Sequence, residues 1–424
     1  MPPDEDQGNH GLIQTNTGGL ILRMDQRLDL VTRLLEEIGS KAAGRDALNN
    51  LERIDAEMAR RFIQDSKSVD LSKPQLLDDD AAEILSESKD YLHLNGLTIL
   101  SDATVQALAK HKGHQLSLNG LTSLSDAAAE ALAEYMGELL LDGLTSLSET
   151  SAQVLAKHED WLSLNGLASL SDAATQALAE HKEALLLDGL TSLSDAAAKA
   201  LGKHEAWLHL NGLTSLSDAA AEALAEHKGN HLSLNGLTSL SDAAAQALAE
   251  HKGNYLYLNG LTSFSDAAAQ ALAEHKGDLE LDGLTSLSDA AAEALAEHEE
   301  RLSLNGLTIL SDAAAQALAK REGLLYLEGL TSLSDAAAQA LAEHKGWLQL
   351  NGLTSLSDAA AEALAEHEER LSLNGLTTLS DAAAQALAKH KGLLYLKGLT
   401  SLSDEAAMAL AKHKEWLFLQ GLIR

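Results

Sequence analysis

The sequence predicts an α/β solenoid: about 15 strand–turn–helix coils, a parallel sheet on the inner face, and a helical N-terminal cap. Three observations predict it. Glycines that follow Asn or its substitutes recur from Gly96 to Gly421, with eleven spacings of 23 residues and three of 24. A fixed period of this length is the signature of stacked repeat units. Within each unit the apolar period changes from two, in Leu-x-Leu, to that of a helix, in Asp-Ala-Ala-Ala. Finally, hydrophobic residues make up 45% of the chain but aromatics only 3%, so Leu and Ala carry the core.

One unit shows how each element arises. Leu256-Tyr257-Leu258 reads as a short strand, and Asn259-Gly260 as its turn, because both residues tolerate positive φ. Ser265 to Gly277 reads as a helix with Ser265 as N-cap, Asp266 at the positive end and Gly277 at the C-terminal cap. Ala268, Ala271 and Leu272 are expected on its buried face, with Gln270 and Glu274 pointing elsewhere. The 24-residue spacings each add one residue after Lys-Gly, as in Lys252-Gly253-Asn254-Tyr255, which marks a loop. A single unit buries too few Leu side chains to offset the entropy of ordering it, so neighbouring coils must share their faces.

The unit resembles the leucine-rich repeat of the bacterial 23-residue type, in which a strand lines the inner face and a helix lies outside. The resemblance covers about residues 69–422, and DAAAQALA is closest to the helix-containing subclass. It implies a recognition surface on the strands. The sequence departs from the family in one respect. Leu261 stands where the family places an inward Asn, and Asn259 comes directly after the strand.

The ends of the array are atypical, as terminal repeats are. Residues 1–23 are expected to be a flexible segment and 24–68 a helical cap. The cap would hold one helix over Asp25–Ile38 and a second over Ala47–Gln64, whose Leu48, Leu51, Ile54, Met58 and Phe62 recur at steps of three and four. A separate interaction module is the other reading of the cap. Residues 69–92 form a degenerate first coil within a solenoid spanning 69–424, with Val69-Asp70-Leu71 in place of the strand and Lys73-Pro74 in place of Gly-Leu. Residues 416–424 supply a strand with no helix after it. That edge implies a tail-to-tail homodimer through Trp416, Phe418, Leu422 and Ile423.

The net charge is −32. Such a chain disfavours DNA, RNA and anionic membranes, and any electrostatic partner is expected to be basic. There is no Cys, which excludes disulfides and thiolate chemistry. The acidic start MPPDEDQGNHG is not a secretory signal, and no run is apolar enough to span a membrane, so a cytoplasmic location is expected.

Stacking turns each repeat position into a column. Twelve His, from His111 to His413, occupy the helix end, interrupted by Tyr135 and Arg321. They could bind metal or sense pH, but satisfying carbonyls at a helix C-terminus is the simpler role, and Arg321 would repel a metal. The Thr column, from Thr98 to Thr400, resembles an ice-binding array, yet bonds to the loop of the next coil explain it better. Turn chemistry explains the Asn column. Every reactive residue type is repeated, so no asymmetric catalytic site stands out; neither an enzyme nor a cofactor is expected.

Variation concentrates on the outward strand positions. The residue before the first Leu and the one between the Leu pair make 30 positions that hold ten of the 13 aromatics and all four Trp. Two clusters emerge there: Trp161, Trp207, His209, Tyr255 and Tyr257, then Tyr326, Trp347, Tyr395, Trp416 and Phe418 with Arg301 and Arg370 beside them. Exposed aromatics on a rigid face are what binding hot spots use. The sequence therefore points to a non-catalytic scaffold for a protein or peptide ligand. A structural or spacer protein that works through its length and ends is the alternative.

Overall fold

In the computed structural model, residues 52–420 are described. Fifteen strands, from Leu92–His93 to Leu417–Phe418, form one parallel sheet in strictly sequential order. Register is fixed by the repeat: Leu256 pairs with Leu232 on one side and Leu279 on the other. Each strand is followed by a short helix, and each helix packs on the next. This is a leucine-rich-repeat solenoid, one coil per 23 or 24 residues.

The coil closes around its leucines. Leu256, Leu258, Leu261 and Leu272 are fully buried, with Ala268 and Ala269. The buried helical face is thus Ala268-Ala269-Leu272, while Ala271 is only partly covered. The helix runs over Asp266–Leu272, shorter than the sequence suggests. Its last turn tightens, with Glu274 N donating to Ala271 O and His275 N to Leu272 O.

The glycines act through space rather than through φ. Among the described residues only Gly323 and Gly346 have positive φ, so neither Asn259-Gly260 nor Gly277 uses the left-handed region expected of it. A Cβ at Gly260 would instead overlap the carbonyl oxygens of Asn235 and Leu237 in the coil beneath. The turn needs glycine because the coils stack backbone on backbone there.

The N-terminal region also departs from expectation. Arg53–Ile54 is a strand, paired in parallel with Leu76–Leu77. The helix after it covers Ala56–Gln64 with Asp55 as N-cap, so no helix runs through residues 52–55. Asp55, Asp78 and Ser101 cap three successive helices at the repeat spacing. The stripe Ile54, Met58, Phe62 is therefore one coil of the array, with its strand-like entry misread as helix. Val69–Leu71 is not a strand, although Leu71 is buried. Lys73 and Pro74 do take the place of the turn, since a Cβ on Gly96 would meet their backbone. The expected helix over Asp25–Ile38, the segment 1–23 and residues 47–51 lie outside the described residues, as do Leu422 and Ile423.

Candidate binding face

Three hydrogen-bond ladders hold the face in place. The Asn column does more than turn the chain. Asn119 Oδ1 accepts from Asp142 N at 2.9 Å, Asp142 Oδ1 from Asn165 N at 3.0 Å, and the relay continues to Lys397 N on Asn374 Oδ1 at 3.0 Å. At Glu328 it changes form, and Asn351 Nδ2 donates to Glu328 Oε1 at 2.7 Å. The second ladder joins helix starts. Ser217 Oγ accepts from Ala220 N at 3.0 Å while donating to Asp195 Oδ1 of the preceding coil at 2.7 Å. The same arrangement holds the Asp126 carboxyl below its ordinary value, through bonds from Ser148 and Ser151. In the third, Thr145 Oγ1 donates to Thr122 O at 3.2 Å. The Thr hydroxyls bond the preceding coil, not the following one.

The His column is buried. Eleven of its imidazoles, from His111 to His390, lie in the core, and neighbouring rings stack face to face at centroid spacings of 5.5–6.3 Å. They bond the preceding coil rather than their own helix: His158 Nε2 donates to Gly137 O at 3.0 Å and His390 Nε2 to Glu369 O at 3.0 Å. Burial lowers the pKa values, to about 4 at His181, His251, His275, His344 and His390 and about 3 at His227. The rings are therefore neutral near pH 7. Parallel rings direct their lone pairs in parallel planes, so neighbours do not converge on one ion. Tyr135 fits the file with its hydroxyl donating to Gly113 O at 2.8 Å. Arg321 breaks it, donating to the carbonyl oxygens of Glu300 and Leu324.

The outward strand positions show why Ser and aromatics alternate in one column. Ser233 is buried and donates to Asn211 Oδ1 at 2.7 Å. Tyr257, in the same column, gives up that bond and lies half-buried beside Tyr255, ring centres 6.1 Å apart. The expected first cluster is continuous. Trp161 and Trp207 lean together at 5.3 Å over buried Ala184, the residue between them in the column. His231, which sequence reading left out of the cluster, joins Trp207 at 4.0 Å to Tyr255 at 4.1 Å. His209 lies half-buried in the neighbouring row, its pKa lowered by burial.

The second cluster is held differently. Tyr326, Trp347 and Tyr395 follow one another at 6.5 and 6.4 Å, and Phe418 stacks on Tyr395 at 4.3 Å. Cations sit on the rings: Arg301 over Tyr326 at 4.7 Å, Arg370 over Trp347 at 5.3 Å, and Lys397 over Tyr395 at 5.5 Å. Lys397 was missed because it stands in the Asn column. Trp416 lies 6.3 Å from Phe418, so both extend the strip instead of forming a separate end surface.

No family model matches the chain, and no curated protein matches its sequence. Among solved structures it is similar to a leucine-rich-repeat protein of Leptospira interrogans, with 18% identity and a TM-score of 0.40 over 85% of this chain and 97% of that one. It is also similar to an internalin of Listeria monocytogenes, with 13% identity and a TM-score of 0.34 over 87% of this chain and 95% of that one. A third similarity is to the Drosophila Toll–Spatzle complex, with 14% identity and a TM-score of 0.46 over 82% of this chain and 49% of that one.

Proposed function

We propose that the chain is a non-catalytic scaffold that binds a protein or peptide across the outward face of its strands. The observation that carries this reading is the unbroken run of rings from Trp161 through Trp207 and His231 to Tyr255 and Tyr257. Trp161 and Trp207 remain 40% and 38% exposed. Rings fixed by their neighbours lose little freedom when a partner covers them, which is the property of an interface anchor. A chain without Cys suits a reducing compartment such as the cytoplasm. No helix among the described residues is long and apolar enough to cross a membrane.

The test compares the intact chain with a Trp161→Ser, Trp207→Ser, Tyr257→Ser variant in affinity capture from cell extract. The variant should keep its helical circular dichroism and lose the captured partner. Unfolding of the variant would instead assign the rings to the core. The tail-to-tail homodimer is a separate proposal, favoured by the 71% exposure of Trp416 beside Phe418. Light scattering of the wild type and Phe418→Lys tests it, and a wild type that stays monomeric at high micromolar concentration removes it.

A further inference from the structure

The charge along the sheet face changes sign, and that change bears on the partner's chemistry. Before Arg301 the outward strand rows and the Asn row carry carboxylates, among them Glu138, Asp188, Asp278 and Glu280, and no Lys or Arg. The last acidic position is Glu328. From Trp347 to Gln420 the same rows hold Arg370 and Lys397 and no carboxylate.

The two cations also differ from Arg301 in how they are held. Arg301 is neutralised by Glu280 at 3.3 Å and Asp278 at 3.9 Å. Neither Arg370 nor Lys397 has a carboxylate within ion-pair distance among the described residues. Aromatic rings orient them instead, and a ring's quadrupole attracts a cation without cancelling its charge. Two oriented, uncompensated cations therefore stand on an aromatic floor in a chain of net charge −32.

We propose, resting on the recognition reading above, that this end of the face binds an acidic stretch of polypeptide. Its carboxylates meet Arg370 and Lys397, and its apolar side chains meet Trp347, Tyr395 and Phe418. The sign is opposite to that implied by the whole-chain charge. At physiological salt, charges beyond about 8 Å are largely screened, so the adjacent cations outweigh the distant carboxylates. A nucleic acid is the poorer fit. Its dense, regular charge meets only two free cations, and the ring faces that would stack on bases are already covered by cations or by one another.

The probes are short fluorescein-labelled peptides of alternating Glu and Leu or of alternating Lys and Leu, and an oligothymidylate. Each is titrated with the intact chain at physiological salt and read by anisotropy. The Glu-Leu peptide should bind the wild type best. The Arg370→Gln, Lys397→Gln variant should weaken it about tenfold, roughly the effect of losing one charge-assisted contact. Arg370→Glu with Lys397→Glu should shift preference to the Lys-Leu peptide. Trp161→Ser with Trp207→Ser should change nothing. Preference of the wild type for the Lys-Leu peptide or the oligonucleotide, no binding of any probe, or indifference to the cation variants would overturn the proposal. Extract capture that depends on Trp161, Trp207 and Tyr257 but not on Arg370 and Lys397 would leave the recognition reading standing and remove only the acidic partner. Capture indifferent to both sets would remove both.

Discussion

Two files of rings run along the same coils and follow opposite rules. The His file is buried, nearly invariant from coil to coil, and broken only by Tyr135 and Arg321. The strand file is partly exposed and changes at almost every step, from Trp207 to His231 to Tyr255 to Asp278. Both are made of flat side chains at the coil spacing, so ring type alone does not distinguish framework from surface. What distinguishes them is what each ring replaces. An imidazole in the buried file reaches a carbonyl of the coil beneath. A ring in the strand file displaces a Ser that would have bonded the Asn ladder, and gains exposure for it.

The largest effect that would break this comparison is acid. The buried imidazoles have pKa values lowered from 6.5 to about 4 at His275 and its equivalents, so the unfolded chain takes up protons first as pH falls. Stability is complete above 6.5 and is lost as pH drops toward 4. By pH 5 each such imidazole should cost about 2 kcal/mol, repeated along the array. Ordinary carboxylates titrate lower, so the window from 6.5 to 5 isolates the His file. Urea denaturation at stepped pH should show the midpoint falling through that window. A flat midpoint would mean that the file is solvated.

The next effect separates core from surface within one coil. Leu258 is fully buried, and Leu258→Ala should cost about 2–5 kcal/mol. Thr238 is exposed, and its hydroxyl makes one long bond of 3.4 Å to Thr214 O. Thr238→Ala should cost about 1 kcal/mol or less. Equal losses in chemical denaturation would overturn this division of the coil.

Much of this was legible in the sequence because the repeat multiplies each signal. Strand, N-cap Ser and buried Leu recur so often that their roles follow from period alone, and the crowding of aromatics onto two strand positions locates the candidate face. The errors share a physical cause. Gly260, Asn259 and His275 were read as local devices, for a turn and a helix end, whereas each acts on the coil beneath it. Contacts 21 to 25 residues apart leave no trace in a window of one unit. His231 and Lys397 were missed for a related reason: neither looks like a hot spot until the ring beside it is placed. Residues 52–55 read as helix because their apolar residues kept helical spacing across a strand and its cap.

The smallest effect is the sharpest test, because it moves a ring of the strand-file type into the buried file. His275 lies between glycines at the same offsets as Tyr135: Gly253 in the coil beneath and Gly277 two residues on, matching Gly113 and Gly137. Tyr135 shows that a phenol fits there, stacked on His111 and His158 at 5.9 and 6.2 Å. In His275→Tyr the hydroxyl should reach Gly253 O as Tyr135 reaches Gly113 O. Stability at pH 7.5 should then change by no more than about 1 kcal/mol, the net worth of one hydrogen bond. Burial pushes the Tyr135 phenol well above its ordinary value, so the replacement stays neutral across the whole acid window. The variant should therefore lose about one imidazole's share of the acid sensitivity, read as stronger hydrogen-exchange protection of its coil than in wild type at pH 5. Unchanged protection at pH 5 would show that protonation of the buried file does not drive the acid transition. A large loss at pH 7.5 would show that Tyr135 is tolerated for reasons particular to its own coil.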